Sequence, residues 1–142
     1  MTIAAILGGK GDKVHSIGAD RTVRDAVSIL AENRIGALPV VKGESVAGII
    51  SERDIIYCLR TDGADILDWP VERVMTAPAI TVSTEVGALA ALSQMTKRRI
   101  RHLPVVGGDR LIGIVSIGDL VKYRIDRFER EAEAMRVYIQ SV

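Results

Sequence analysis

Two serine–aspartate pairs carry the residue types and the spacing that could do chemistry. Ser51 and Asp54 end the stretch Gly48-Ile49-Ile50-Ser51-Glu52-Arg53-Asp54, and Ser116 and Asp119 end Gly113-Ile114-Val115-Ser116-Ile117-Gly118-Asp119. Each pair follows an apolar, β-rich run and opens a helical pattern, so each serine sits where a strand gives way to a helix. The first N–H groups of a helix lack partners within it, and such an end takes an anion, phosphate above all. An aspartate three residues on lies in the first turn, where its carboxylate can accept two hydrogen bonds from a vicinal diol such as the ribose 2′- and 3′-hydroxyls. The same spacing also makes a capping box, in which serine caps the helix and aspartate reaches back to it. Gly48 and Gly113 stand at the same distance upstream and let a backbone come close. With two such copies, both readings stay open.

The run Lys97-Arg98-Arg99-Ile100-Arg101-His102 is the main concentration of positive charge. It reads as a contact to the phosphate of a bound nucleotide, as a solvated helix end where cations favour the dipole, or as a contact to RNA or DNA. A net charge of +1 and the lack of neighbouring aromatics for base stacking count against nucleic acid. Arg53, in a helix's first turn, either reaches a phosphate or is solvated. Gly8-Gly9-Lys10-Gly11-Asp12 has the look of a phosphate loop but lacks the Gly-Lys-Ser/Thr ending and the strand before it, so it reads as a plain turn. His15 reads as structural, and with His102 as its only companion no transition-metal cluster is visible. Cys58, the single cysteine, excludes an internal disulfide and reads as core. No nucleophile elbow, motif-spaced His–carboxylate pair or P-loop is present. The expectation is a protein that is not an enzyme, with no metal and no catalytic cofactor.

The elements that hold these residues are written twice. Ile35-Gly36-Ala37-Leu38-Pro39-Val40-Val41 returns as Ile100-Arg101-His102-Leu103-Pro104-Val105-Val106, a period of about 65 residues without a gap. Each copy reads strand, helix, strand, strand, helix. In the first, Val14 to Ile17 is a brief strand. Thr22 caps a helix with Asp25 in a capping box, and Val23, Ala26, Val27 and Leu30 share one face; Asn33 and Gly36 close it. Ala37–Val41 and Val46–Ile50 form a hairpin turned at Lys42-Gly43-Glu44. Pro39 requires that its strand be an edge or be broken there. Ile55, Ile56 and Leu59 pack the helix after Ser51. Thr61 to Ala64 is a polar link, a short helix starts near Pro70, and Trp69 packs at the seam between copies.

The second copy opens at Ala79-Ile80-Thr81-Val82, with a helix from about Val86 and Leu89, Leu92 and Met95 inward. Ahead of the first copy, Thr2 caps a helix to Leu7 that Gly8-Gly9 ends. After the second, Leu120 to Val142 lacks Gly and Pro and carries alternating charge. It reads as a long exposed helix that lies on a partner along part of its length, because Tyr123, Phe128, Met135 and Tyr138 return to one side only intermittently. The division is residues 1–60 (first copy), 61–75 (linker), 76–123 (second copy) and 124–142 (terminal helix).

The 142 residues are 48% hydrophobic, 26% charged and 4% aromatic, the profile of a soluble globular domain whose core is Ile, Val, Leu, Ala and Met. No apolar run approaches the ~20 residues of a membrane span, and the opening lacks a basic leader. One cysteine suits a reducing compartment, so the cytoplasm is expected.

Motif, order and repeat together resemble a pair of CBS (cystathionine β-synthase) domains, a Bateman module. Val23 with Ala26 and Leu30, Leu38-Pro39-Val40-Val41 and the Gly48–Asp54 stretch carry the likeness. So do Ala91 with Met95, Leu103-Pro104-Val105-Val106 and the Gly113–Asp119 stretch, while Val74-Met75-Thr76 is similar to the Val-Met-Thr that opens such second copies. The resemblance spans Val14 to Val121. It implies an α+β fold, two tandem β-α-β-β-α repeats packed by their sheets about a pseudo-two-fold axis. It further implies a regulatory role, with two clefts for adenosine-containing ligands: AMP, ADP, ATP, NAD(H) or S-adenosylmethionine.

Carried onto this sequence, the first cleft would use Ser16, Ile17, Ala37, Pro39, Ser51, Arg53 and Asp54. The second would use Ile80, Thr81, Val82, Arg99, Arg101, His102, Pro104, Ser116 and Asp119. The aspartates would hold ribose, the serines ribose or phosphate, and the apolar stretches adenine. Arg53 and Ile117-Gly118 differ at equivalent places, so the clefts need not share a ligand. A homodimer, commonly a flat four-domain disk in this family, is also implied. The alternatives are an assembly module with empty clefts and nucleic-acid binding through Lys97 to His102.

Overall fold

The computed structural model describes residues 1–10 and 13–142. The chain runs α1 (Ile3–Lys10), β1 (Ile17–Gly18), α2 (Val23–Asn33), β2 (Ala37–Lys42), β3 (Ser45–Ser51) and α3 (Glu52–Asp62). Two 3₁₀ segments follow, Gly63–Asp68 and Val71–Arg73, then α4 (Ala88–Arg98), β4 (His102–Gly107), β5 (Arg110–Ser116) and α5 (Ile117–Ser141).

The repeat is visible residue by residue. β2 and β3 pair antiparallel with Ala37 opposite Ser51, and β4 and β5 pair with His102 opposite Ser116; both hairpins shift register at the same place, Val40/Val41 and Val105/Val106. Ile17 pairs in parallel with Val40, and its counterpart Val82 forms a single parallel bridge to Val105. The leading strand is therefore shorter than Val14 to Ile17, and His15 is exposed. Because β1 starts opposite Val40, β2 is unpaired on that side at Pro39, which suits a residue with no N–H.

The sheet order is β1-β2-β3-β5-β4. Among the described residues β3 and β5 meet through Ser45 and Arg110. These are equivalent positions of the two copies, and antiparallel pairing of equivalent positions is what a two-fold axis between them produces. The two half-sheets are thus joined edge to edge about a pseudo-two-fold.

Among the described residues there are two cores. One gathers Val23, Ala26, Leu30, Leu38, Val40, Ile50 and Ile55; the other gathers Ala88, Ala91, Met95, Leu103, Val105, Val115 and Leu120. Each is completed by a segment that leads into the other copy. Ile66, Val71 and Val74 finish the first core, and Ile3, with Ile6 and Leu7, finishes the second. Backbone bonds repeat the pattern. The N–H of Val71 donates to Arg21 at 2.7 Å and that of Val23 to Trp69 at 2.9 Å, while Ile3 donates to Val86 and Ala88 to Met1, both at 2.9 Å.

Several local expectations change. Gly8 and Gly9 stay inside α1, which ends at Lys10; Gly11 and Asp12, the rest of the expected turn, lie outside the described residues. Thr22 and Asp25 form the capping box, but α2 ends at Arg34, in the left-handed region at φ 53°, not through Asn33 and Gly36. The expected link from Thr61 to Ala64 is the end of α3 and the start of a 3₁₀ turn. Trp69 packs on the first core, with the Arg73 guanidinium 3.5 Å above its ring, and not at the seam. In α4 the inward face is Ala88, Ala91 and Met95, and Leu89 is exposed, since helical spacing puts residue 89 about 100° away from 88. On α3, Ile55 is inward while Ile56 and Leu59 are exposed. No helix among the described residues is long and apolar enough to cross a membrane.

Candidate functional site between the two copies

Both serine–aspartate pairs form capping boxes, and one of them also faces a cavity. At the first turn the Ser51 N–H and hydroxyl donate to Asp54 Oδ2 at 2.9 and 3.0 Å, and the Asp54 N–H donates to Ser51 Oγ at 3.2 Å. The other carboxylate oxygen, Oδ1, accepts from the Thr76 hydroxyl at 3.0 Å. In front of this turn lies a cavity of about 210 Å³. Its wall is built from four places: Gly36 and Ala37 at the start of β2, Ile49 and Ser51 to Asp54 at the β3–α3 turn, Thr76 and Pro78 to Ile80, and Arg99 to His102 leading into β4.

The lining carries Arg53, Arg99 and Arg101 against Glu52 and Asp54, with His102 beside them. Burial lowers the pKa of His102 below its ordinary 6.5, and the charges of Lys10 and Arg101 lower it further, against the pull of Glu52 and Asp119. The imidazole is therefore neutral at pH 7. A cationic wall, a carboxylate at a helix N-terminus and an apolar floor from Ile49, Ala79 and Ile80 suit a ligand with an anionic group, a diol and a flat apolar body.

The second turn is arranged differently. The Ser116 N–H donates to Asp119 Oδ2 at 2.8 Å and the Asp119 N–H to Ser116 Oγ at 3.1 Å. The same Oδ2 takes the Lys10 ammonium at 2.6 Å, and Lys10 also donates to the Ile114 carbonyl at 2.9 Å. Burial pushes the Asp119 carboxyl up, but the Lys10 ammonium and the Ser116 bonds outweigh it, so the net pKa lies below 3.8. Asp119 and Lys10 line a separate groove of about 760 Å³ between α1 and α5.

The structure thus regroups the expected residues. Ile80, Arg99, Arg101 and His102, assigned to the second cleft by motif position, line the cavity of the first turn with Ala37, Ser51, Arg53 and Asp54. The pseudo-two-fold is the reason: it sets the strand-to-helix turn of one copy against the segments that lead into the other copy's strands. Ile17, Pro39, Val82 and Pro104 are buried within the half-sheets. Neither these four nor Ser16 and Thr81 are among the residues lining the cavity, and Ser116 and Asp119 stand at the other turn. Sequence reasoning passes over Gly36, Glu52, Thr76, Pro78 and Lys10. Thr76 ends the Val74-Met75-Thr76 stretch, yet only the fold brings its hydroxyl to Asp54. The close approach that the two glycines permit is made by the chain itself. A Cβ on Gly48 would stand 2.6 Å from the Thr76 carbonyl and 2.8 Å from Met75 Sδ, and one on Gly113 would stand 2.8 Å from Leu7 Cδ2.

Two α/β repeats joined about a pseudo-two-fold, with a strand-to-helix turn opening on a cavity between them, define a CBS-domain pair. The family model for the CBS domain matches residues 11–61 and 71–126, and the chain belongs to that family. The CBS domain-containing protein CBSX3, mitochondrial, of Arabidopsis thaliana is 37% identical over 98% of this chain and 72% of that protein. The crystal structure of the CBS domain protein NE2398 superposes with a TM-score of 0.83 at 36% identity, covering 88% of this chain and 98% of that one. Two more distant structures share the fold. CBSX2 in complex with AMP is 23% identical (TM-score 0.76, 88% and 96% covered), and the CBS pair of MJ0100 with 5′-methylthioadenosine and S-adenosyl-L-methionine is 24% identical (TM-score 0.79, 89% and 98% covered).

Proposed function

We propose that this chain is a regulatory module that binds an adenosine-containing nucleotide (AMP, ADP, ATP or NAD(H)) in the cavity between its two copies. The observation that carries this is the meeting of Asp54 and Ser51 with Arg99, Arg101 and His102 in one cavity, although they come from opposite halves of the chain. In this reading Asp54 takes the ribose hydroxyls by exchanging its bond to Thr76, and the arginines meet phosphate as charge-assisted partners. The adenosine ligands of CBSX2 and MJ0100 support the class of ligand. The bound ligand would tie the two copies together and bias how they sit, which is how such a module regulates a protein target. The module acts as a homodimer, in the cytoplasm, and energy sensing is the role that AMP and ATP as ligands would give it.

One observation favours the rival reading of an assembly module without a ligand: both Asp54 oxygens already have partners within the chain. Calorimetry with AMP, ATP, NAD and S-adenosylmethionine separates the two. Binding of at least one is expected, and Asp54→Ala should weaken it on the order of 10- to 100-fold, the range of a lost hydrogen bond to a charged group. Silence from every adenosine compound at millimolar concentration removes the nucleotide reading and favours the assembly one.

A further inference from the structure

We infer that α5 pairs with α5 of a second copy as a parallel, two-stranded coiled coil. This specifies the surface for the two-chain assembly proposed above and rests on that part of the reading; it needs no ligand. α5 is 25 residues long, about 37 Å at 1.5 Å per residue. Near its start Leu120 is buried in the second core, with Ile117 and Tyr123 packed against it. Beyond Asp126 every residue is exposed.

The exposed part carries an unbroken seam. Val121, Ile125, Phe128, Ala132, Met135, Ile139 and Val142 alternate in steps of four and three. Six of the seven are large apolar side chains left between 43% and 92% exposed. A strict 3.5-residue repeat is the pattern of a helix that supercoils with another helix, whereas a helix lying on its own domain follows 3.6. β-Branched Ile125 and Ile139 fall at two of the three a positions, the residue type that parallel two-stranded coils place there.

Charge fixes the occupant as a second copy. Arg124 and Glu131 fall at g, and Glu129 and Arg136 at e. In a parallel, in-register pair each g residue meets the e residue five positions on in the partner. Arg124 then faces Glu129 of the partner subunit, and Glu131 faces Arg136 of the partner subunit. Both pairs are of opposite sign, and the seam is complementary to itself.

Sedimentation equilibrium of the full chain without nucleotide tests this, together with a Cys58→Ser, Val142→Cys variant under mild oxidation. A dimer is expected, the Val142→Cys chains should cross-link because parallel strands bring the last d positions together, and Ile125→Asp with Phe128→Asp should halve the mass while the far-ultraviolet spectrum keeps its helix. Glu131→Arg alone should weaken the dimer, and Arg136→Glu added to it should restore it. A wild-type monomer overturns both the seam and the two-chain assembly. A dimer that survives Ile125→Asp with Phe128→Asp, or that fails to cross-link at Val142→Cys, overturns the seam alone and leaves the assembly to another surface.

Discussion

Lys10 stands at the second turn where Thr76 stands at the first. Each touches the carboxylate of the local Asp, and each meets the carbonyl of an equivalent isoleucine, Thr76 by its backbone N–H at Ile49 and Lys10 by its ammonium at Ile114. The difference is one of charge, and it sets the pH behaviour. The Asp119 carboxyl is held below 3.8, so its native interactions stabilise the fold above its unfolded pKa and are lost as pH falls through the lower folded value. Lys10→Met should be less stable than wild type at neutral pH, with the gap closing in acid below 3.8; urea melts across pH check this. The two glycines make a paired prediction. Gly48→Ala puts a methyl against backbone, the Thr76 carbonyl, and should cost about 1–3 kcal/mol as overpacking. Gly113→Ala meets only the end of the Leu7 side chain, which can turn aside, and should cost less in the same melts.

At the scale of elements, the exchange of leading segments makes each half depend on residues far away in the chain. Ile3 and Val71 are both fully buried at matching places in opposite cores. Ile3→Ala should destabilise by about 2–5 kcal/mol. Hydrogen exchange should show the loss in α4 and β5 and spare α2 and β2. Equal loosening of both halves would contradict the reciprocal packing. The capping serines and the hairpins were legible in the sequence because their signals are local. α5 was legible as a long exposed helix, yet its seam was not read from Tyr123, Phe128, Met135 and Tyr138. Two of these lie off the stripe, and the small or β-branched members, Val121, Ile125, Ala132 and Ile139, carry its period.

For the whole molecule, the cavity sets His102 of the second copy beside Ser51 and Asp54 of the first. Its pKa is depressed by burial and then by the charges of Lys10 and Arg101, so it is neutral in the free protein near pH 7. The unfolded chain binds the proton more readily, and this contribution to stability falls as pH drops below 6.5 through the folded value. A ligand phosphate would reverse the preference and favour the imidazolium. NAD, whose diphosphate does not titrate there, should therefore bind more tightly as pH falls below 6.5, and His102→Gln should bind with an affinity flat across that range. Calorimetry at several pH values reads both, and a flat wild-type profile would remove His102 from the phosphate site.

The repeat, the strand-to-helix turns with their capping pairs and the family could all be read along the chain. Each of these is written in neighbouring residues or in a pattern that recurs at one fixed distance. Which residues share a cavity depends on how the two copies pack. The axis between Ser45 and Arg110 turns one copy against the other, so that Ser51 and Asp54 face Arg99, Arg101 and His102, while Asp119 is matched with Lys10. A two-fold operation brings together residues that no spacing along the chain relates, and this is why the membership of the clefts could not be read in order.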